Sequence, residues 1–275
     1  ETQVALCFKH TGAAAGFCSV ALYTGILTFG TALEVPSSAT YFSGALVTPY
    51  GVSDRVVLVF SSASDPADVS TESTKAQVFS VSGNSISSLG LARSLVSTKC
   101  DHIAAASLTR ERTIISYRVV RDSNSEVREL YFRPGDDVNL LSHSRFVVDS
   151  TGADLRWMSL DRLDDAHAVL AFRDAGNDNR LQAVVVDASE VPLLSFGGFV
   201  TVDSGSSLTG DALAIAVVAT KADRLGFAFV SASGTPQFAD AGVFGSSIVV
   251  GRPQHVMRDT SGSVMTAAIA LDSDT

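Results

Sequence analysis

Residues Ala168 to Asn179 read AVLAFRDAGNDN, an apolar run tipped by an aromatic and followed by a turn-forming stretch of Asp, Gly and Asn. The run is nearly continuous rather than alternating, which predicts a short strand buried on both faces. The same design recurs along the chain. Val4-Ala5-Leu6-Cys7-Phe8, Val56-Val57-Leu58-Val59-Phe60, Thr113-Ile114-Ile115-Ser116-Tyr117 and Leu225-Gly226-Phe227-Ala228-Phe229 are its counterparts. The terminal aromatics at 8, 60, 117, 172 and 229 are spaced by 52, 57, 55 and 57 residues, the mark of a tandem structural repeat.

Each unit keeps one order of parts. A first strand (His102 to Leu108, Leu155 to Leu160) leads through a charged turn into the aromatic-tipped strand. A polar loop (Ser61 to Thr74, Arg121 to Ser125, Asp174 to Asn179) then leads into a third strand (Gln77 to Ser82, Val127 to Phe132, Leu181 to Val186). A turn-forming pair such as Ser82-Gly83 precedes the fourth (Val138 to Val148, Leu193 to Val202). Val, Ile, Phe and Thr fill the runs, while Gly, Ser, Asn and Asp separate them. Even the Ala-rich stretch Ala212 to Ala219 occupies a first-strand slot, so it is read as a strand against its helix propensity.

Four strands in about 55 residues, repeated in tandem, is the plan of a β-propeller blade. The fold class expected is therefore all-β, a single propeller domain over residues 1–275. Its blades fall near 1–40, 41–100, 101–152, 153–206, 207–251 and, in part, 252–275. The chain opens on a second strand and closes on another, Val264 to Leu271, so an incomplete six- or seven-bladed ring within a longer chain is expected.

The pattern Ala168 to Asn179, echoed at Ile114 to Asn124, resembles the tandem β-propeller repeats of FG-GAP and kelch-like extracellular proteins. That resemblance implies adhesion, glycan binding or assembly of surface filaments, and an extracellular or cell-surface location.

Composition narrows the partners. The chain of 275 residues carries 20 Lys+Arg against 29 Asp+Glu, a net charge of −9, and its only lysines are Lys9, Lys75, Lys99 and Lys221. An acidic, lysine-poor chain lacks the electrostatic footprint of a nucleic-acid binder. Apolar runs such as Ala212 to Ala219 are too short to cross a bilayer. Other chains of an assembly, or glycans, are the partners expected.

Catalytic signatures are missing: there is no G-x-S-x-G, no phosphate-binding G-x-x-x-x-G-K-[ST] and no S-x-D-x-G box. His10, His102, His143, His167 and His255 show no zinc spacing. Acidic turn residues recur at Asp54, Asp165 and Asp223 between first and second strands, where a carboxylate caps backbone N–H groups as the chain reverses. Asp174, Asn177, Asp178 and Asn179 group oxygen donors around Gly176. They form either a Ca²⁺ loop or an Asx-rich hairpin turn, and the turn is the reading favoured. No other cofactor is expected. If the first hairpin turns near residues 12 and 13, Cys7 faces Cys18, as a cross-strand disulfide or as two buried thiols. No N-x-[ST] sequon occurs, so any sugars attached to a secreted form would sit on Ser and Thr. The function expected is a non-catalytic structural or interaction module acting through its loops. A glycan-binding lectin is the alternative, and a propeller glycoside hydrolase a further one.

Overall fold

The computed structural model describes residues 2–9, 16–23, 26–35, 41–47, 54–63, 73–120, 125–132, 138–146, 155–191, 193–203, 215–231 and 235–255. All regular structure in them is strand, arranged as five small sheets in sequence order. The first contains β1 (Thr2–Lys9), β2 (Gly16–Tyr23), β3 (Leu27–Phe29) and β4 (Leu33–Val35). The second has β5 (Tyr41–Val47), β6 (Arg55–Ala63), β7 (Ser73–Ser82) and β8 (Ser85–Val96). The third runs β9 (Cys100–Ser107), β10 (Arg112–Val119), β11 (Ser125–Phe132) and β12 (Val138–Phe146). The fourth has β13 (Leu155–Arg162), β14 (His167–Asp174), β15 (Arg180–Asp187), β16 (Ser195–Phe196) and β17 (Val200–Asp203). The fifth has β18 (Ile215–Lys221), β19 (Arg224–Val230), β20 (Pro236–Phe244), β21 (Ser247–Val250) and β22 (Gln254–His255).

Strands follow one another in chain order within every sheet, with the split last segments β4, β17 and β22 pairing alongside β3, β16 and β21 on β2, β15 and β20, as a meander of propeller blades requires. The fold is thus the all-β, blade-built class that the repeat predicts. The Ala-rich stretch enters β18, where Ile215, Ala216, Val217 and Val218 are all buried. Burial on both faces overrides the helix preference of alanine there. The spare strand expected at Val264 to Leu271 lies outside the described residues.

By contact density the chain divides into two compact units, one mostly before residue 141 and one mostly after it, exchanging short segments of the third sheet. In the first unit, Cys18 and Val20 of β2 pack against Val56, Leu58 and Phe60 of β6 and Phe79, Val81 and Ile86 of the β7–β8 hairpin. In the second, Val169, Ala171, Leu181, Ala183 and Val185 of the fourth sheet meet Phe227, Phe229, Ala239 and Ala241 of the fifth. Each aromatic so buried contributes about 1.5–3 kcal/mol. The aromatic landmarks Phe60, Tyr117, Phe172 and Phe229 are at most 1% exposed, which is why their spacing is held.

The last strand of a blade is broken at a glycine in three sheets, Gly30 between β3 and β4, Gly197 between β16 and β17, and Gly251 between β21 and β22, and in the continuous β8 the register against β7 shifts at Gly90, whose φ is 64°. Three of these donate their N–H to the third strand, Gly30 to Val20, Gly197 to Val185 and Gly251 to Asp240. At two of them the neighbouring sheet explains the residue. A Cβ on Gly30 would fall on the carbonyl oxygen of Asn84, and one on Gly197 on that of Ser246. Both carbonyls belong to equivalent two-residue turns, Gly83-Asn84 and Gly245-Ser246, whose glycines take φ of 58° and 60° as such hairpins require.

Candidate functional site

In the fourth sheet, Leu155 lies opposite Asp174 and Arg156 opposite Arg173, and the register then slips. Trp157 and Met158 together face Phe172, a β-bulge, before pairing resumes at Ser159 and Ala171. Trp157 takes φ of +48°, a left-handed conformation that a bulky residue occupies only at a cost of about 1–3 kcal/mol. Its ring is half-buried against the core between the fourth and fifth sheets, and the Arg156 guanidinium carbon lies 6.0 Å from the ring centroid. His102, the third residue of β9 as Trp157 is of β13, has the same φ of 48°. Two consecutive blades therefore carry an aromatic at one strained position, 55 residues apart, the interval that also separates Tyr117 from Phe172. Sequence reading missed this pair, although that shared interval was the signal for it.

Beside Trp157, Arg173 is fully buried and works as a strut. Its Nη1 donates to the carbonyl of Asn179 at 2.9 Å and to Asp203 Oδ2 at 3.2 Å, while Nη2 reaches the carbonyl of Val230 in the fifth sheet at 2.6 Å. Burial pulls the guanidinium below its ordinary value, and Asp203 opposes that pull. One side chain thus ties together the Asp174–Arg180 turn, the end of β17 and the end of β19.

That turn contains the four residues singled out as Ca²⁺ donors. Asn177 N–H bonds the Asp174 carbonyl and Arg180 N–H the Asn177 carbonyl, giving two turns in succession. Asp174 is buried and its Oδ1 accepts from Gly176 N–H at 3.1 Å. Asp178 and Asn179 take φ of 54° and 55°, the left-handed pair of a type I′ turn, for which Asp and Asn are suited. The four residues are brought together, then, with their backbone engaged in hairpin turns. Among the described residues no three His, Cys, Asp or Glu side chains converge to hold a metal.

At the opposite end of the sheet, the acidic cap is Asp164 rather than Asp165. Asp164 Oδ1 accepts from the N–H groups of Ala166 and His167, each at 2.8 Å, while Asp165 pairs with Arg162. Thr109 does the same work one blade earlier, accepting from Glu111 and Arg112. Asp54 and Asp223 serve through their carbonyls, which accept from Val81 and Val243, as Ala166 does from Ala188. Asp161 reaches the next blade, its Oδ2 accepting from Ala219 N–H at 2.7 Å, and Ser159 Oγ accepts from Val217 N–H at 3.1 Å.

These carboxylates have opposite pH signatures. Burial pushes Asp161 above 3.8, against the N–H bonds from Ala219 and Arg162. Asp164 lies below 3.8: burial raises it, but the N–H bonds from Ala166 and His167 and the imidazole outweigh that. A raised folded value favours folding below pH 3.8 and loses that contribution as pH rises through the folded value. A lowered one contributes above 3.8 and is lost as pH falls through the folded value. Unfolding midpoints measured in urea against pH are expected to show Asp161→Asn and Asp164→Asn changing the acid-side slope in opposite directions.

In the first hairpin Cys7 is the Cα partner of Cys18 and Phe8 of Phe17, the register expected. Cys18 is disulfide-bonded, while Cys100 is a buried cysteine outside any disulfide whose thiol donates to the carbonyl of Thr98 at 3.9 Å.

No family model matches the sequence, and no curated protein matches it either. Solved structures do match. AofleA from Arthrobotrys oligospora is 11% identical, with a TM-score of 0.56 over 98% of this chain and 77% of its own. The SapL1 lectin in complex with alpha methyl fucoside is 11% identical, with a TM-score of 0.51 over 94% of this chain and 82% of its own. A Trypanosoma rangeli sialidase is 8% identical, with a TM-score of 0.48 over 87% of this chain and half of its own. At such identities the likeness is one of fold.

Proposed function

We propose that the chain is a non-catalytic carbohydrate-binding module whose contact point is the bulge at Trp157. The observation that carries this is the left-handed Trp157 itself. A bulky residue held in a strained conformation turns up where function needs it. Its half-buried ring offers apolar surface for the C–H side of a sugar, and Arg156, over the ring, supplies a polar group of the kind that fixes hydroxyl orientation. The fold likeness to a lectin solved with a fucoside supports the same class of ligand. The carboxylates around the turn are occupied with backbone N–H groups and Arg173, which suits a scaffold better than an acid–base pair. A location outside the cell accords with this reading.

A glycan array probed with the full chain tests it. Binding to at least one neutral glycan class is expected, lost at least tenfold in Trp157→Ala and retained in Phe244→Ala, whose ring is exposed on the fifth sheet. Equal binding by Trp157→Ala, or turnover of a glycoside by the wild-type chain, would overturn the proposal.

A further inference from the structure

The bulge at Trp157 starts from a register pair that Arg173 supplies. Arg156 lies opposite Arg173 and Leu155 opposite Asp174, and regular pairing resumes only where Ser159 meets Ala171. A left-handed conformation at a bulky residue persists only where its surroundings over-determine it, so the strand end beneath the bulge has to be anchored. Asp174 has its anchor in the Gly176 N–H. Arg173 has three, and one of them lies in another sheet.

Arg173 shares a side of β14 with Val169 and Ala171, which belong to the core between the fourth and fifth sheets, and the Trp157 ring packs against that same core. Nη2 crosses this layer to the Val230 carbonyl at 2.6 Å, while Nη1 stays on the fourth sheet with the Asn179 carbonyl at 2.9 Å and Asp203 Oδ2 at 3.2 Å. Only a planar fork holds acceptors on two sides at once, and with Arg173 fully buried and Asp203 16% exposed the pair is poorly screened by solvent.

The other blades support a link between strut and bulge. Arg173 follows the aromatic landmark Phe172, and Arg118 follows Tyr117, in the two sheets whose first strands carry Trp157 and His102 at φ of 48°. In the second and fifth sheets the residues after the landmark are Ser61 and Val230. There the ladder runs past the aromatic without a slip, Gly44 opposite Phe60 and Ile215 opposite Phe229.

We infer that Arg173 is the positioning residue of the Trp157 site: by clamping the end of β14 to the end of β19 it holds the bulge in its left-handed form and the indole at the edge of the layer. The inference rests on the carbohydrate-binding reading for its ligand, and on the geometry of the two sheets for the clamp.

Two variants of the full chain test it, Arg173→Lys and the double variant Arg173→Met, Asp203→Leu. Lysine keeps the charge but not the fork, and the double variant replaces the buried pair by apolar groups without stranding a carboxylate. Trp157 is the sole tryptophan, so the tryptophan band in near-ultraviolet circular dichroism reports its setting before any sugar is added. Affinity is then measured for a panel of neutral monosaccharides that includes methyl α-fucoside. Both variants are expected to show an altered band and at least tenfold weaker binding, and the double variant should regain urea stability without regaining either. Band and affinity that return together with the urea midpoint would show a strut serving stability alone and would overturn the inference, as would an unchanged band in both variants. An altered band with unchanged affinity leaves the clamp standing and removes Trp157 as the sugar contact. If Arg173→Lys loses its strand circular dichroism, the double variant is read in its place.

Discussion

Replacing Arg173 by methionine is expected to destabilise the chain by about 3–5 kcal/mol, the cost of leaving the partner of a buried ion pair uncompensated. The arginine is 0% exposed, and its three acceptors come from three places: Asn179 six residues away, Asp203 thirty away and Val230 fifty-seven away. Methionine fills most of the volume, so the loss falls on the hydrogen bonds and on the Asp203 charge, not on a cavity. The double variant Arg173→Met, Asp203→Leu removes the stranded carboxylate as well. It should recover part of the loss, since an apolar pair of similar volume often substitutes for a buried ion pair without penalty. Urea unfolding of wild type, both single variants and the double gives the coupling directly. Additive losses would show that Asp203 is not a significant partner.

Gly197→Ala is the second large effect. A methyl group there meets the carbonyl oxygen of Ser246, a backbone atom in a tight turn that has no rotamer by which to move aside. Overpacking of this kind costs about 1–3 kcal/mol and more when backbone must shift. The adjacent Gly198 is an internal control, because a Cβ there meets nothing within 4 Å. Gly198→Ala should be neutral, or stabilising by about 0.4–1 kcal/mol through the unfolded chain. A shift in thermal midpoint for Gly197→Ala only is the expected result, and Gly30→Ala against Asn84 should reproduce it in the first unit.

The repeat was legible because the aromatic-tipped strands β6, β10, β14 and β19 are buried along most of their length, which leaves an unbroken apolar run with a fixed aromatic near its end. The fourth strand was harder to read. In the first, fourth and fifth sheets it is short and broken at a glycine, and exposed Phe29, Leu91 and Val249 sit where a buried pattern would be sought. The acidic turns were placed one residue off in the fourth blade, since Asp164-Asp165 offers two carboxylates and only the hydrogen bonds to Ala166 and His167 distinguish them. Register was recoverable where a short hairpin determines it, as with Cys7 and Cys18. What could not be read were roles set by distant partners: the strut at Arg173, the cradle at Gly197, and the bulge that turns Trp157 out of register.

Trp157 is the sole tryptophan of the chain, so its own emission reports on the proposed site without a label. Titrating the intact protein with a panel of monosaccharides that includes methyl α-fucoside should produce, for at least one sugar, a saturable change in tryptophan fluorescence that is competed by the unlabelled glycans bound on the array. If glycans bind the chain while the emission stays constant through saturation, the contact point lies elsewhere and the account of the bulge is wrong.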